Sequence, residues 1–178
     1  FTHWGAEVHT GMLKNKKGPD DKGVIVANMK VSNRSGSNKK LTLHLKVYEQ
    51  QGKLIAQSRP YPFTVDTTDL VVSARVQVNK PKFWSPNTPV LYKTVATVEQ
   101  NGKVIDSIEI TTGFRFFRFD EHKGFFLNNQ SLKIKGVCLH HDLGPFGAAV
   151  NTRAIERQLQ ILKAMGCNAI RTAHNPPA

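Results

Sequence analysis

The chain has 178 residues, which suits one or two small domains with a buried core. Its net charge of +12 comes from basic residues spread along the chain rather than clustered, which argues against a nucleic-acid partner. No apolar run approaches the roughly 20 residues of a membrane span, and two cysteines are too few for a disulfide scaffold or a CxxC zinc site.

Residues 6 to about 112 are predicted to form strands only. The stretch "LTLHLKVY" from Leu41 to Tyr48 alternates apolar and polar residues, as a half-buried strand does. The pair Asn101-Gly102 predicts a tight hairpin turn between two further alternating segments. Several strands at this spacing, with no helix between them, predict a two-sheet β-sandwich over residues 1–112.

Residues 113–178 are predicted to contain a strand, a helix and a second strand. The stretch "LKIKGVCL" is a candidate buried strand, and "NTRAIERQLQILKAMG" is a candidate helix with Asn151 as its N-cap and Gly166 as its stop. The apolar run "CNAIRTAHNPP", broken by Pro176, is the second strand. The cysteines within these runs, Cys138 and Cys167, are predicted to be buried free thiols. The predicted apolar face of the helix consists of Ile155, Leu159 and Leu162, with Met165 adjoining it.

A strand–helix–strand unit requires two parallel strands, and one such unit cannot bury both faces of its sheet. The chain also begins with Phe1 rather than Met. We therefore expect a piece of a longer protein that contains the opening of an α/β domain. Functional loops in such folds follow the carboxyl ends of the strands, where "HHD" and "RTAH" stand. Parallel pairing predicts that His140 and His174 share the rim of one pocket.

A metal site is a second interpretation of "HHD". Neighbouring residues of a strand point to opposite faces, so His140 and His141 could not both bind one ion without a kink. Asp142 shares a face with His140, and His174 could supply a third ligand. We predict no metal site here.

Three stretches of the sequence, "KFWSPNTPVLY", "LNNQSLKIKGVCLHHD" and "AIRTAHNPP", occur in this order along the chain. They resemble motifs of glycoside hydrolase family 2, the β-galactosidase family. "KFWSPNTPVLY" is similar to the signature of that family's immunoglobulin-like domain. "LNNQSLKIKGVCLHHD" and "AIRTAHNPP" resemble its entry into the catalytic barrel. The resemblance implies a mainly β chain: an immunoglobulin-like β-sandwich followed by the truncated first βαβ unit of a (β/α)8 barrel, over residues 113–178.

The resemblance also implies roles for individual residues. His140 and His174 match histidines that lie beside the sugar, and Arg171 matches an arginine that anchors the carboxylates of the site. Asp142 is the acidic residue at the pocket edge, and the four are the expected substrate-binding residues. Retaining glycosidases need two carboxyl groups about 5–5.5 Å apart. One carboxylate cannot act as both, so we predict no catalytic pair in this chain, which alone should be inactive.

The resemblance implies a full-length retaining glycosidase that acts on terminal non-reducing β-glycosides. Its expected ligand is a β-glycoside or oligosaccharide, and no nucleic-acid or membrane partner is expected. The full-length protein could form a homo-oligomer. No cofactor is expected in this fragment, and a divalent cation is left open for the full-length protein. The bacterial periplasm or cytoplasm is the expected compartment. The alternative is a carbohydrate- or protein-binding β-sandwich module, which would need a concave, aromatic-lined groove on the sandwich.

Aromatic residues near the predicted boundary have two interpretations, sugar contact or packing. We expect packing between the two domains for most of them, and we take Phe146, in the loop after the first barrel strand, as the exception that faces sugar. The residues expected between the domains are Phe83, Trp84, Phe114, Phe116 and Phe117.

Overall fold

The computed structural model describes residues 1–3, 5–15, 18–140, 143–147, 149 and 151–172. The chain divides into two compact units, Phe1–Phe116 and the residues from Phe117 onward. Within the described residues, no helix has both the length and the apolar character that crossing a bilayer requires. Each unit is treated by itself below.

The first unit is a sandwich of two antiparallel sheets. Its strands are β1 (Ala6–Asn15), β2 (Gly18–Ser32), β3 (Lys39–Glu49), β4 (Leu54–Gln57), β5 (Tyr61–Val65), β6 (Asp69–Asn79), β7 (Tyr92–Gln100) and β8 (Lys103–Thr112). One sheet has the order β1-β2-β6, and the other has the order β4-β3-β7-β8 with β5 also paired to β3. The pairing of β2 with β6 and of β3 with β7 is that of an immunoglobulin-like sandwich, as predicted.

Alternation along the strands builds the core of the sandwich. Successive side chains of a strand point to opposite faces, so every second residue of β3 enters the interior between the sheets. Leu43, Leu45 and Val47 are completely buried, as the sequence predicted. The facing sheet supplies Ile25, Ala27 and Met29 from β2, together with Ala74, Val76 and Val78 from β6.

The hairpin between β7 and β8 turns where the sequence predicted. Asn101 has φ of 52° and Gly102 has φ of 76°, the left-handed conformations that a two-residue hairpin loop requires. The turn between β3 and β4 contains Gly52 with φ of 88°. These turns fix the register of the strands they join.

A tyrosine hydroxyl occupies the free edge of β6. Arg75 pairs with Val26 of β2 at a position whose backbone groups point away from β2. The hydroxyl of Tyr61 donates to the carbonyl of Arg75 at 3.1 Å and accepts from its backbone N–H, also at 3.1 Å. One side chain therefore satisfies both backbone groups at this point of the edge.

The second unit begins with a small antiparallel sheet of β9 (Phe117–Asp120), β10 (Gly124–Leu127) and β11 (Gln130–Ser131). Next come β12 (Gly136–Leu139), a 3₁₀ turn at Gly144–Phe146, the helix α1 (Thr152–Ala164) and β13 (Ala169–Thr172). This is the predicted strand–helix–strand unit. No described residue from Asn128 to Thr172 is buried.

The helix begins and ends as predicted, but its apolar face is less buried. The Asn151 side chain accepts a hydrogen bond from the N–H of Ala154 at 3.1 Å, and Gly166 has φ of 89°. Ile155 and Leu162 are half-buried, whereas Leu159 and Met165 are 40% and 69% exposed. The two-stranded sheet is too narrow to cover all four side chains.

Candidate functional site

The two barrel-type strands pair in parallel, as the sequence predicted. Cys138 of β12 lies beside Arg171 of β13, and Leu139 lies beside Thr172. Residues that are neighbours across a sheet share a face, so Cys138 and Arg171 point to the same side. His140 follows β12 two residues beyond Cys138, and strand alternation places it on that side as well. The face that carries Arg171 and His140 is called the site face below.

The site face brings together two of the four predicted substrate-binding residues. Arg171 and His140 are two positions apart along the strand direction and one strand apart, so their Cα atoms are separated by about 8 Å. Both side chains are exposed. A guanidinium and an imidazole at this separation can donate hydrogen bonds to one small ligand between them. The other two predicted residues, Asp142 and His174, lie outside the described residues.

The opposite face of β12 and β13 has a different character. It carries Val137 and Leu139, which are half-buried, beside Ile170 and Thr172. A right-handed crossover places the helix of a βαβ unit on one face of its sheet. Since Val137 and Leu139 are the half-buried side chains, we expect α1 on their side of the sheet. The site face is therefore left open.

Asn168 joins the starts of the two strands, a role that the sequence analysis missed. Its amide oxygen accepts from the N–H of Lys135 at 2.8 Å, and its amide nitrogen donates to the carbonyl of Lys133 at 2.9 Å. Its own N–H donates to the carbonyl of Lys135 at 3.0 Å. The signal available in sequence was an asparagine two residues after the glycine that ends the helix. This side chain fixes the register on which the site face depends.

The prediction that both cysteines are buried is wrong. Cys138 is exposed and Cys167 is half-buried. Cys138 lies on the site face beside Arg171, and that face has no covering layer within the described part of the chain. Phe146, the aromatic residue expected to face sugar, lies in the 3₁₀ turn after β12 and is 55% exposed.

The metal interpretation gains no support from the described residues. Among them, no three His, Cys, Asp or Glu side chains come together as potential ligands of one ion. Two of the residues on which that interpretation rested, Asp142 and His174, are not among those described. The prediction of no metal site therefore stays a prediction.

The "KFWSPNTPVLY" signature is anchored inside the first unit. The N–H of Trp84 donates to the carbonyl of Phe114 at 2.8 Å, and the N–H of Lys82 donates to the hydroxyl of Tyr92 at 2.8 Å. Burial raises the pKa of that phenol above its ordinary value. The Arg115 guanidinium lies 5.1 Å from the centre of the Trp84 ring. The signature therefore has a structural role within the sandwich.

Phe114 was expected to pack between the two domains, and that expectation is wrong. Its ring is completely buried in the core of the first unit, where it meets the Tyr92 ring edge to face with centres 5.4 Å apart. Phe83 forms a bridge with Phe114 and packs against the same core. Phe114 lies past the last strand in sequence, but it closes the end of the sandwich.

Two clefts on the first unit bear on the alternative of a binding module. They have volumes of about 350 and 330 Å³, and both adjoin Gln50, Leu91 and Tyr92. Among the residues that the structure describes, Tyr92 is the one aromatic residue that lines either cleft, and it is only 4% exposed. Neither cleft therefore presents the flat aromatic surface on which a sugar ring stacks. This observation favours a supporting role for the sandwich.

Comparison with known proteins agrees with this architecture. The family model described as Glycosyl hydrolases family 2 matches residues 12–115, and the model of that family's TIM barrel domain matches residues 120–178. The β-galactosidase BoGH2A of Bacteroides ovatus is 41% identical over 175 residues, which are 98% of this chain and 20% of that protein.

Solved structures give the same result. A glycosyl hydrolase family 2 member from Bacteroides cellulosilyticus has a TM-score of 0.87 at 34% identity and covers 99% of this chain, which matches 24% of that one. A calcium-binding mutant of Bacteroides uniformis β-glucuronidase 2 has a TM-score of 0.81 at 28% identity, over 97% of this chain and 20% of that one. The chain spans about a fifth to a quarter of the length of these relatives.

The predicted fold class is confirmed by the sandwich topology, the parallel strand pair and both family models. The chain belongs to the glycosyl hydrolases of family 2, and it carries that family's immunoglobulin-like domain followed by the opening of the TIM barrel.

Proposed function

We propose that this chain is the supporting sandwich and the first strand–helix–strand unit of a longer retaining β-glycosidase. The observation that carries the proposal is the parallel register of β12 and β13, which places Arg171 and His140 on one open face at the carboxyl ends of the strands. Substrates of TIM barrel enzymes bind at that end of the strands. The similar β-galactosidase and β-glucuronidase indicate a terminal β-galactoside or β-glucuronide as substrate.

The proposed role of His140, His174 and Asp142 is to bind sugar hydroxyls. Neutral imidazoles both donate and accept hydrogen bonds, and a carboxylate accepts them. Such bonds accelerate hydrolysis where they strengthen in the transition state. The catalytic carboxyl pair belongs to parts of the full-length enzyme beyond this chain. Residues 1–178 alone are therefore expected to bind sugar weakly and to hydrolyse none.

Arg171 is proposed as a positioning residue for one of those carboxylates. The planar guanidinium offers a fixed fork of donors and remains charged at any working pH. A nearby guanidinium stabilises the ionised carboxylate and lowers its pKa. This would keep the nucleophile charged at neutral pH. Arg171 needs to stay exposed on the site face in this chain for such a contact to form, and it is exposed.

The proposal also includes a divalent cation bound by the full-length enzyme. One similar protein is described as a calcium-binding mutant of a β-glucuronidase, and this description supports a cation in the full-length enzyme. Among the described residues of this chain, no three His, Cys, Asp or Glu side chains come together as potential ligands. We therefore assign no residue of this chain to a cation site.

The test is an assay of the full-length enzyme on aryl β-galactosides and β-glucuronides. Arg171→Ala should lower kcat/KM by about 100-fold or more, the usual effect of removing one preorganised electrostatic donor. It should also move the acidic limb of the pH profile to higher pH, because the carboxylate loses its cationic neighbour. Arg171→Lys should restore the position of that limb better than the rate, because lysine keeps the charge and loses the fork.

The matched control is Arg157→Ala, which removes an exposed arginine from α1 away from the site face. It should leave both the rate and the pH profile unchanged. His174→Ala tests the second half of the site on the same substrates. Unchanged kcat/KM in Arg171→Ala and His174→Ala, or hydrolysis by residues 1–178 alone, would overturn the proposal.

A further inference from the structure

One face of the β9–β10 hairpin is made of phenylalanine side chains. In the antiparallel register Phe125 lies beside Phe119, and Leu127 lies beside Phe117, so these side chains share a face. The three rings contact one another, with centres 5.2 to 6.1 Å apart. Phe117 is 61% exposed and Phe119 is 71% exposed. Phe117, Phe119 and Phe125 are called the phenylalanine face below.

The other face of the hairpin carries charged side chains, and one of them covers its aromatic ring. The guanidinium of Arg118 lies 3.6 Å from the centre of the Phe126 ring and forms an ion pair with Asp120 at 3.3 Å. The side chain of Arg118 is 49% exposed, so its charged group already meets water on this face. The hairpin is therefore amphipathic: one face is polar and meets water, and the other face exposes contiguous apolar surface. Exposed apolar clusters of this kind mark interaction surfaces.

The orientation of the rings narrows the class of partner. The interplanar angles are 77° between Phe117 and Phe119, 51° between Phe119 and Phe125, and 33° between Phe117 and Phe125. Edge-to-face and tilted rings are the packing found in hydrophobic cores. The ring geometry therefore favours an apolar protein surface over a glycan as the partner.

The chain connection places the hairpin relative to the strands of its own unit. From β11 the chain runs through residues 132–135 into the first residue of β12, so the hairpin is attached at the amino ends of the barrel strands. Asn168 holds Lys133 and Lys135 of this connection against the start of β13. Arg171 and His140 belong to the opposite, carboxyl end. The phenylalanine face thus stands at the end of the strands away from the proposed substrate.

We propose that later strands of the same barrel cover the phenylalanine face in the full-length protein, where it closes the end of the barrel opposite the substrate. This rests on the proposed function, because it requires the longer enzyme. A closed barrel of this type has eight strands, of which this chain supplies two. The barrel model of the family already matches from residue 120, within the hairpin. Relatives are four to five times longer than this chain, which leaves room for the other strands of a barrel.

The experiment measures how fast a cysteine on this face reacts with a maleimide. Phe119→Cys is made in a background that carries Cys138→Ser and Cys167→Ser, in both residues 1–178 and the full-length protein. Expected is rapid labelling in residues 1–178 and labelling at least 100-fold slower in the full-length protein. Glu121→Cys, at the exposed hairpin turn, is the control and should label rapidly in both. Phe117→Cys repeats the test if Phe119→Cys does not fold by circular dichroism.

The labelling rates distinguish a covered phenylalanine face from an open one. Equal labelling of Phe119→Cys and Glu121→Cys in the full-length protein would overturn the proposal. So would slow, concentration-dependent labelling in residues 1–178, because a second copy would then be the partner. Glycosidase activity of the same full-length sample is recorded separately. A protected Phe119→Cys in a protein without glycosidase activity would refute the proposed function and support the barrel closure.

Discussion

Gly23 on β2 lies against the ring of Phe114 with no room for a side chain. A Cβ atom at residue 23 would lie 2.5 Å from Cε1 and 2.7 Å from Cδ1 of that ring, and 2.9 Å from Cγ of Pro81. Carbon atoms in ordinary contact are separated by about 3.5–4.0 Å, so the ring would have to move by about 1 Å. The Phe114 ring is fully buried and in edge-to-face contact with the Tyr92 ring, so it has little freedom to move.

We predict that Gly23→Ala destabilises the sandwich by about 1–2 kcal/mol. Overpacking a core costs about 1–3 kcal/mol, and the reduced entropy of the unfolded chain returns about 0.4–1 kcal/mol. The measurement is urea unfolding of residues 1–178, followed by tryptophan fluorescence. Gly11→Ala is the matched control on β1, because a Cβ there would meet only a Val24 methyl at 3.8 Å. It should be neutral or slightly stabilising.

A double-mutant cycle tests the cause. Phe114→Leu alone should cost about 1–2 kcal/mol through the lost ring volume. Because the smaller side chain makes room for a Cβ, the double variant should be more stable than the sum of the two effects by at least about 0.5 kcal/mol. Strict additivity, or a Gly23→Ala variant as stable as Gly11→Ala, would refute the steric argument.

Three further predictions concern other parts of the chain. Asn151→Ala should weaken α1 by about 1 kcal/mol, seen as lost helical ellipticity, whereas Asn151→Asp should keep the cap. Amide exchange in residues 1–178 should be fast throughout β12 and β13, whose outer edges are unpaired in the described chain; strong protection in a monomer would contradict the open edges. The Lys30 ammonium, 2.9 Å from Asp69, holds the pKa of that carboxyl below its ordinary value of 3.8. Such a group contributes stability above its unfolded-state pKa that is lost as pH falls through the folded-state value, so Asp69→Asn should lower stability at pH 7 and flatten its fall below about pH 4. The measurement is the free energy of unfolding by urea at several pH values. If Asp69→Asn loses stability below about pH 4 as steeply as the unchanged protein does, Asp69 does not cause that loss.

The parts of the fold that could be predicted are those governed by local rules. The alternation of Leu43, Leu45 and Val47 defines the buried face of β3 without knowledge of the partner sheet. The Asn101-Gly102 turn and the Asn151 cap follow from backbone chemistry within a few residues. The parallel pairing of β12 with β13 follows from chain connectivity, since a helix lies between them.

The parts that could not be predicted depend on which surfaces meet. Phe114 follows the last strand of the sandwich, and nothing in its neighbours in sequence indicates that it folds back onto Tyr92. Cys138 stands in an apolar run, yet it is exposed because its face of the sheet has no covering layer in the described chain. The shared face of Arg171 and His140 was predictable from strand pairing, whereas the clamp at Asn168 depends on a long-range contact between two loops.

The hydroxyl of Tyr61 has a consequence for how the sandwich behaves in a crowded solution. A sheet margin with free amide and carbonyl groups can recruit a strand from a neighbouring molecule and so nucleate aggregates. At Arg75 the phenol occupies both groups, and an incoming strand would have to displace it to pair at this residue. We therefore expect Tyr61 to hinder strand addition at this point of the edge. Tyr61→Phe should free both backbone groups while the ring stays in place.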